Sequence, residues 1–216
     1  MKRLFVLVLL AESIASAVAQ PGGSNHTVMI SPIHLKNLSV RGMITQYSTS
    51  SDRTPIIAPG LPEATFSLDF TPPILTSEVA RMITNALAEK DILVIPDGRI
   101  FALVVPKSWE KTVHPMASQI HNSTISPTNR MVKYNDFDLH SATIAEVLKV
   151  YATLARAKID PESPTNFPDT KISFITYHPT TREETMYALR TLLLWNNVKI
   201  NFIGPGLISA EPIPPK

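Results

Sequence analysis

The sequence predicts an α+β protein built from two tandem copies of one small two-layer unit. Three observations predict it. First, the chain repeats itself: Phe66–Pro106 lies over Ile172–Pro212 without a gap, placing Ser67 on Ser173, Pro73 on Pro179, Glu78 on Glu184, Leu87 on Leu193 and Gly98 on Gly204. Upstream, Leu35, Tyr47 and Thr49 fall on Leu139, Tyr151 and Thr153. Only the connector between these blocks changes length, as connectors tolerate. Second, helical and strand periodicities recur in the same order within each copy. Third, 44% hydrophobic and 18% charged residues describe a globular chain and exclude bulk disorder. The repeat is too long for a solenoid and marks a duplicated domain.

Residues 1–19 read as a signal peptide. Lys2-Arg3 form the basic start, Leu4–Leu10 the apolar run and Ala17-Val18-Ala19 the small-residue site, so cleavage is expected after Ala19. The destination is the periplasm or the medium. That run is too short to span a bilayer, and no later stretch reaches the ~20 apolar residues a span needs. Residues 20–27 form a polar leader.

The first unit covers 28–106. Val28–Leu35 reads as a strand interrupted by Pro32. Asn37 is placed to cap a helix whose Val40, Met43, Ile44 and Tyr47 make one buried stripe. Thr65–Phe70 alternates like a half-buried strand. Thr76 is the expected cap of a second helix with Val79, Met82, Ile83, Ala86 and Leu87 on one side. Ile92–Ile95 and Ile100–Val105 flank Asp97-Gly98, a hairpin signal. Residues 107–131, polar and carrying Pro115 and Pro127, read as a linker.

The second unit, 132–213, repeats the order, and 214–216 are a tail. Ser141 is the expected cap for Ile144, Val147, Leu148 and Tyr151. Lys171–Thr176 is the strand. Thr181 with Glu184 fits a capping box ahead of Met186, Leu189, Leu192 and Leu193. Val198–Phe202 and Leu207–Ala210 surround Gly204-Pro205-Gly206. Each unit is therefore β-α-β-β-α-β-β, with two helices expected on one face of a small mixed sheet.

Composition excludes several functions. The formal charge is +2, and removing residues 1–19 leaves 18 basic and 17 acidic residues. Such a balance does not draw nucleic acid, and no Gly-rich loop with basic flanks joins the helices. With no cysteine, a disulfide framework, thiolate chemistry and an N-terminal lipid anchor are excluded. The six histidines (26, 34, 114, 121, 140, 178) show no helical zinc spacing. His114 and His121 share the linker and offer at most an adventitious metal contact. No nucleophile elbow or phosphate loop is present. Glu183 and Glu184 are adjacent and point apart, as first-turn charges do, rather than converging like a glycosidase pair. Asn25, Asn37 and Asn122 begin formal glycosylation sequons. A non-enzymatic protein with no metal and no cofactor is expected.

The run Ile100-Phe-Ala-Leu-Val-Val105 lacks alternation and has two readings. It is a strand buried on both faces, or against the linker. Otherwise it is an edge strand that pairs with another subunit, with Ile100, Phe101, Leu103 and Val105 as the candidate interface. The second copy is more polar at Leu207-Ile-Ser-Ala-Glu211. Trp109 and Trp195 are further candidate anchors, Trp195 fitting a core position at a helix end.

The string Phe137-Asp-Leu-His-Ser-Ala-Thr-Ile-Ala-Glu-Val-Leu-Lys-Val-Tyr-Ala, then Ile159-Asp-Pro and Lys171-Ile-Ser-Phe, resembles the periplasmic N-terminal domains of secretins. Thr181-Arg-Glu-Glu-Thr-Met-Tyr-Ala-Leu and Thr76-Ser-Glu-Val-Ala-Arg-Met-Ile resemble that family's second helix, and Asp97-Gly-Arg-Ile its hairpin. Secretins form outer-membrane rings in type II and type III secretion and in type IV pilus machines. The resemblance implies soluble modules that act through domain contacts and carry no catalytic residues. Where secretins continue into a β-rich pore domain, this sequence reaches Pro212-Ile-Pro-Pro-Lys216, so the expectation is a free-standing copy of the ring-stacking modules. Its expected partners are itself or a secretin-type machine. The alternative is an exported ligand-binding protein using the cleft between the repeats.

Overall fold

In the computed structural model, which describes residues 33–70, 73–113, 137–164 and 166–213, each copy folds as β-α-β-β-α-β-β. The first contains β1 (Ile33–Ser39), α1 (Val40–Ser51), β2 (Thr54–Ile57), β3 (Thr65–Phe70), α2 (Thr76–Ala88), β4 (Ile92–Asp97) and β5 (Phe101–Pro106). A short 3₁₀ turn, Lys107–Trp109, follows. The second contains β6 (Asp138–Thr143), α3 (Ile144–Ala155), β7 (Lys158–Ile159), β8 (Lys171–Ile175), α4 (Arg182–Trp195), β9 (Val198–Gly204) and β10 (Leu207–Pro212). The α+β class is as the repeat predicts. The signal segment, the leader, His26, His114, His121, Asn25, Asn122 and most of the linker lie outside the described residues.

The single mixed sheet expected in each unit is instead two. In the first, β1 pairs antiparallel with β3, while β5 lies between parallel β2 and antiparallel β4. The second repeats this with β6–β8 and with β10 between β7 and β9.

The helix starts correct the sequence reading. Asn37 and Ser141 are not caps; they sit in β1 and β6 with left-handed φ of 53° and 51°. Each marks a bulge, where the register slips between Leu35 and Leu38 and between Leu139 and Ala142. The Asn37 and Ser141 N–H groups donate to the Ser67 and Ser173 hydroxyls, at 3.2 and 3.1 Å. The bulge and its serine thus survive in both copies. The caps come two residues later: Ser39 accepts from the Gly42 N–H at 3.2 Å, and Thr143 forms a capping box with Glu146. Nor is Thr76 a cap: it is the first residue of α2, and the cap position belongs to Leu75, whose side chain makes no capping hydrogen bond. Thr181 and Glu184 form the expected box on α4.

The Thr143 N–H and hydroxyl, 2.7 and 2.8 Å from Glu146 Oε2, hold that carboxyl below its ordinary range. Burial pushes the Tyr151 phenol up, against the opposing effect of the Arg190 charge.

Two apolar cores follow. The first joins Met43, Ile44 and Tyr47 of α1 and Val79, Ile83 and Leu87 of α2 to Phe66, Phe70, Ala102 and Val104. The second joins Ile144, Val147, Leu148 and Tyr151 of α3 and Ala188, Leu189, Leu192 and Leu193 of α4 to Ile172, Phe174, Val198, Ile200 and Ile208. The helical stripes read from spacing are thus largely the ones buried.

Candidate functional site

The second core also takes in Ile56, Ala58, Phe101, Leu103 and Val105 from the first copy. Strand register explains how. Leu93, Ile95 and Asp97 of β4 stand opposite Val105, Leu103 and Phe101 of β5, with Ile56 of β2 opposite Leu103. Opposed residues share a face of the sheet. One face, with Ala102 and Val104, packs under α1 and α2. The other, with Phe101, Leu103 and Val105, packs against the second copy. Every residue from Phe101 to Val105 is buried because each face of the sheet belongs to a different core.

The edge-strand reading of Ile100, Phe101, Leu103 and Val105 is therefore corrected. β5 is the centre of its sheet, with both edges paired. Phe101, Leu103 and Val105 do form an interface, but one within this chain. Ile100 lies half-buried against the same cluster. Fully burying Ile56, Phe101, Leu103 and Val105 contributes roughly 6–12 kcal/mol before ordering costs, at ~1.5–3 kcal/mol each. That rivals the ~5–15 kcal/mol stability of a whole small domain. The two units are welded, not beaded.

Polar contacts set the docking angle. The Tyr187 hydroxyl of α4 donates to the Asp97 carboxylate, which is wholly buried at the end of β4. The Tyr187 ring meets Phe101 at 5.9 Å between centroids. Arg53 Nη1 donates to the Gly98 and Phe101 carbonyls at 2.6 and 2.9 Å, fixing the β4–β5 turn where Gly98 takes φ of 64°. The Tyr177 N–H donates to Thr54 Oγ1 at 3.3 Å. His178 Nε2 lies 3.1 Å from Asp52 Oδ1, within ion-pairing distance but not aligned as a hydrogen bond. Trp109 and Trp195 meet edge to face at 5.9 Å, both half-buried, and so anchor the interface between the copies.

Asp97, Arg53 and Tyr187 escaped the sequence reading. Asp97 reads as a turn former beside Gly98, and nothing in its neighbourhood signals a buried carboxylate. The one available hint was the repeat: Ile203 occupies its place in the second copy.

The remaining candidates are two grooves and two surface ion pairs. Between the copies a groove of about 200 Å³ is lined by Arg41, Thr45, Pro55, His140, Phe174 and Tyr177, among others. Small-molecule sites run from ~300 to 1,000 Å³. A larger open groove of about 700 Å³ lies inside the first unit along the Pro59–Ala64 connector, not between the repeats. His34 pairs with Asp69 at 2.6 Å and His140 with Asp138 at 2.9 Å, all at the surface. Among the described residues no three histidine or carboxylate side chains converge as metal ligands. Among them, too, no helix is long and apolar enough to cross a membrane.

Against this geometry, no protein-family model matches the chain, and no curated protein matches it. Among the solved structures similar to it is a dimeric mutant of the N-terminal domain of the secretin XcpQ from Pseudomonas aeruginosa. The alignment covers 76% of this chain and 99% of that one, at 15% identity and a TM-score of 0.33.

The outward face of the second copy differs from the first. Leu93, Ile95, Leu103 and Val105 are replaced in turn by Lys199, Asn201, Ser209 and Glu211. Lys199 and Glu211 are exposed there and Asn201 is half-buried, so they make that face polar, while Ser209 is itself buried. Among the described residues the exposed large apolar side chains are Leu194, Phe202 and Ile203, with Tyr177 at the margin.

Proposed function

We propose that this protein is an exported, non-enzymatic assembly module of the cell envelope, a component or accessory of a secretin-type secretion or pilus system. One observation carries the assembly part: the unit's sheet has a face that binds the helical layer of another such unit, and the first copy uses it on the second. A module whose outer face recognises its own kind is suited to stacking and docking. The secretin link is supported by the sequence resemblance at Phe137–Ala152, Thr181–Leu189 and Asp97–Ile100. The Lys2–Ala19 signal pattern supports export to the periplasm.

Affinity capture of the tagged full-length protein from native envelopes, after mild crosslinking and with mass spectrometry of the bound proteins, tests the proposal. Recovery of a secretin or its inner-membrane partners is the expected result. Recovery of nothing but the protein itself refutes the link to such a machine.

A further inference from the structure

The two copies differ at one strand edge. The Ile213 N–H donates to the Asn197 carbonyl at 2.7 Å, and Val198 stands opposite Pro212. By the alternation of antiparallel ladders, residues 197, 199 and 201 therefore turn their backbone groups to β10, while 198, 200 and 202 turn theirs to the other edge of β9. Among the described residues no strand pairs with that edge. The first copy has the same arrangement: Lys107 N–H donates to the Asp91 carbonyl at 2.8 Å, so 92, 94 and 96 face the free edge of β4. There, residue 96 is proline. It has no N–H to offer an incoming strand, a standard way to blunt an edge. In the second copy the matching residue is Phe202. It is 59% exposed, and its neighbour Ile203 is 50% exposed.

We propose that the β9 edge is a self-association site, pairing antiparallel with β9 of a second copy of this chain. This deepens the assembly reading, on which it rests, by naming the surface and the partner. The register that pairs the whole strand, Val198–Gly204, is centred on Asn201. It sets Ile200 against Phe202 as hydrogen-bonded pairs through the free N–H and C=O groups, and Lys199 against Ile203. No like charges oppose one another in this register, which favours a second copy as occupant. The two-fold axis closes the pair as a dimer and leaves the β9 edge fully paired.

Sedimentation velocity on the full chain tests the pairing. The wild type is expected to shift from monomer to dimer with concentration. Phe202→Pro, which restores the first copy's block, and Phe202→Lys, which keeps the N–H, are expected to stay monomeric over the same range. The lysine variant decides the matter if the proline variant does not fold. Register is read by disulfide trapping, since the chain has no cysteine of its own. Asn201→Cys, in a non-hydrogen-bonded pair, is expected to oxidise to a covalent dimer. Lys199→Cys is expected to do so only when mixed with Ile203→Cys. A wild type that stays monomeric throughout, or a dimer that survives both Phe202 variants, overturns the proposal. A monomer that still captures envelope proteins overturns this pairing and leaves the assembly reading standing; a dimer that captures nothing else supports the pairing and refutes the link to a secretin-type machine.

Discussion

Replacing Leu103 by alanine probes the weld between the copies. Leu103 is 1% exposed and points into the core shared by both copies. The three lost carbons remove about 2.4 kcal/mol at ~0.8 kcal/mol each. The walls are strands fixed on both sides, so a cavity remains, and the total becomes about 3–4 kcal/mol, within the ~2–5 kcal/mol range for buried leucines. For a chain of this size each kcal/mol lowers Tm by ~2–4 °C, giving a fall of roughly 6–16 °C. Thermal melts followed by far-UV circular dichroism and by tryptophan fluorescence check this, because Trp109 and Trp195 meet at the interface and report on it directly. Both signals are expected to fall together in one earlier transition. Ser209→Ala, at the matching position of the second copy, is the control and is expected to change Tm little. A loss below ~1 kcal/mol, or a fluorescence transition preceding the loss of secondary structure, would refute the claim that the copies share a core.

Three further outcomes are expected. Tyr187→Phe deprives the buried Asp97 carboxylate of a hydroxyl donor and costs about 1–3 kcal/mol in urea unfolding, with no change in m-value. Arg53→Met keeps the aliphatic stem but loses both carbonyl contacts of the β4–β5 turn. A loss of about 1.5–3 kcal/mol in the same assay is expected, and hydrogen exchange should quicken at the turn amides. The Glu146 carboxyl is held below its ordinary range, so its contribution to stability is present above that range and is lost as pH falls through the lowered value. Thr143→Ala removes the hydroxyl donor but keeps the backbone N–H, the larger cause, so it should flatten that part of an acid-unfolding curve only in part, while leaving the curve near neutrality parallel to wild type.

Much of this architecture can be read from residue order, because duplication doubles every signal. The apolar stripe on α1 and α3 appears twice at one spacing, and strands β3 and β8 start where their alternation starts. The helix caps were misplaced by two residues because Asn37 and Ser141 suit a cap and a left-handed bulge equally, and only strand pairing distinguishes the two. The split into two sheets is a matter of non-local pairing, which periodicity does not encode. The candidate interface is the instructive case. The missing alternation over Phe101–Val105 correctly marks burial on both faces, yet burial does not say whose side chains do the burying. The equivalent Leu207–Glu211 segment is more polar, and that contrast was the readable clue that only one copy is covered by a neighbour.

The doubly covered sheet also governs how this chain can evolve. In β10 the outward position Glu211 is exposed and answers only to solvent and local pairing, so substitutions there are cheap. In β5 no position from Phe101 to Val105 is released from a core, so the strand has no neutral sites through which to drift. The first unit is thereby bound to its sequel: a recombination event that delivered it alone would expose Phe101, Leu103 and Val105 to water at once. Descendants of this duplication are expected to travel as an inseparable pair, with innovation concentrated in the second copy.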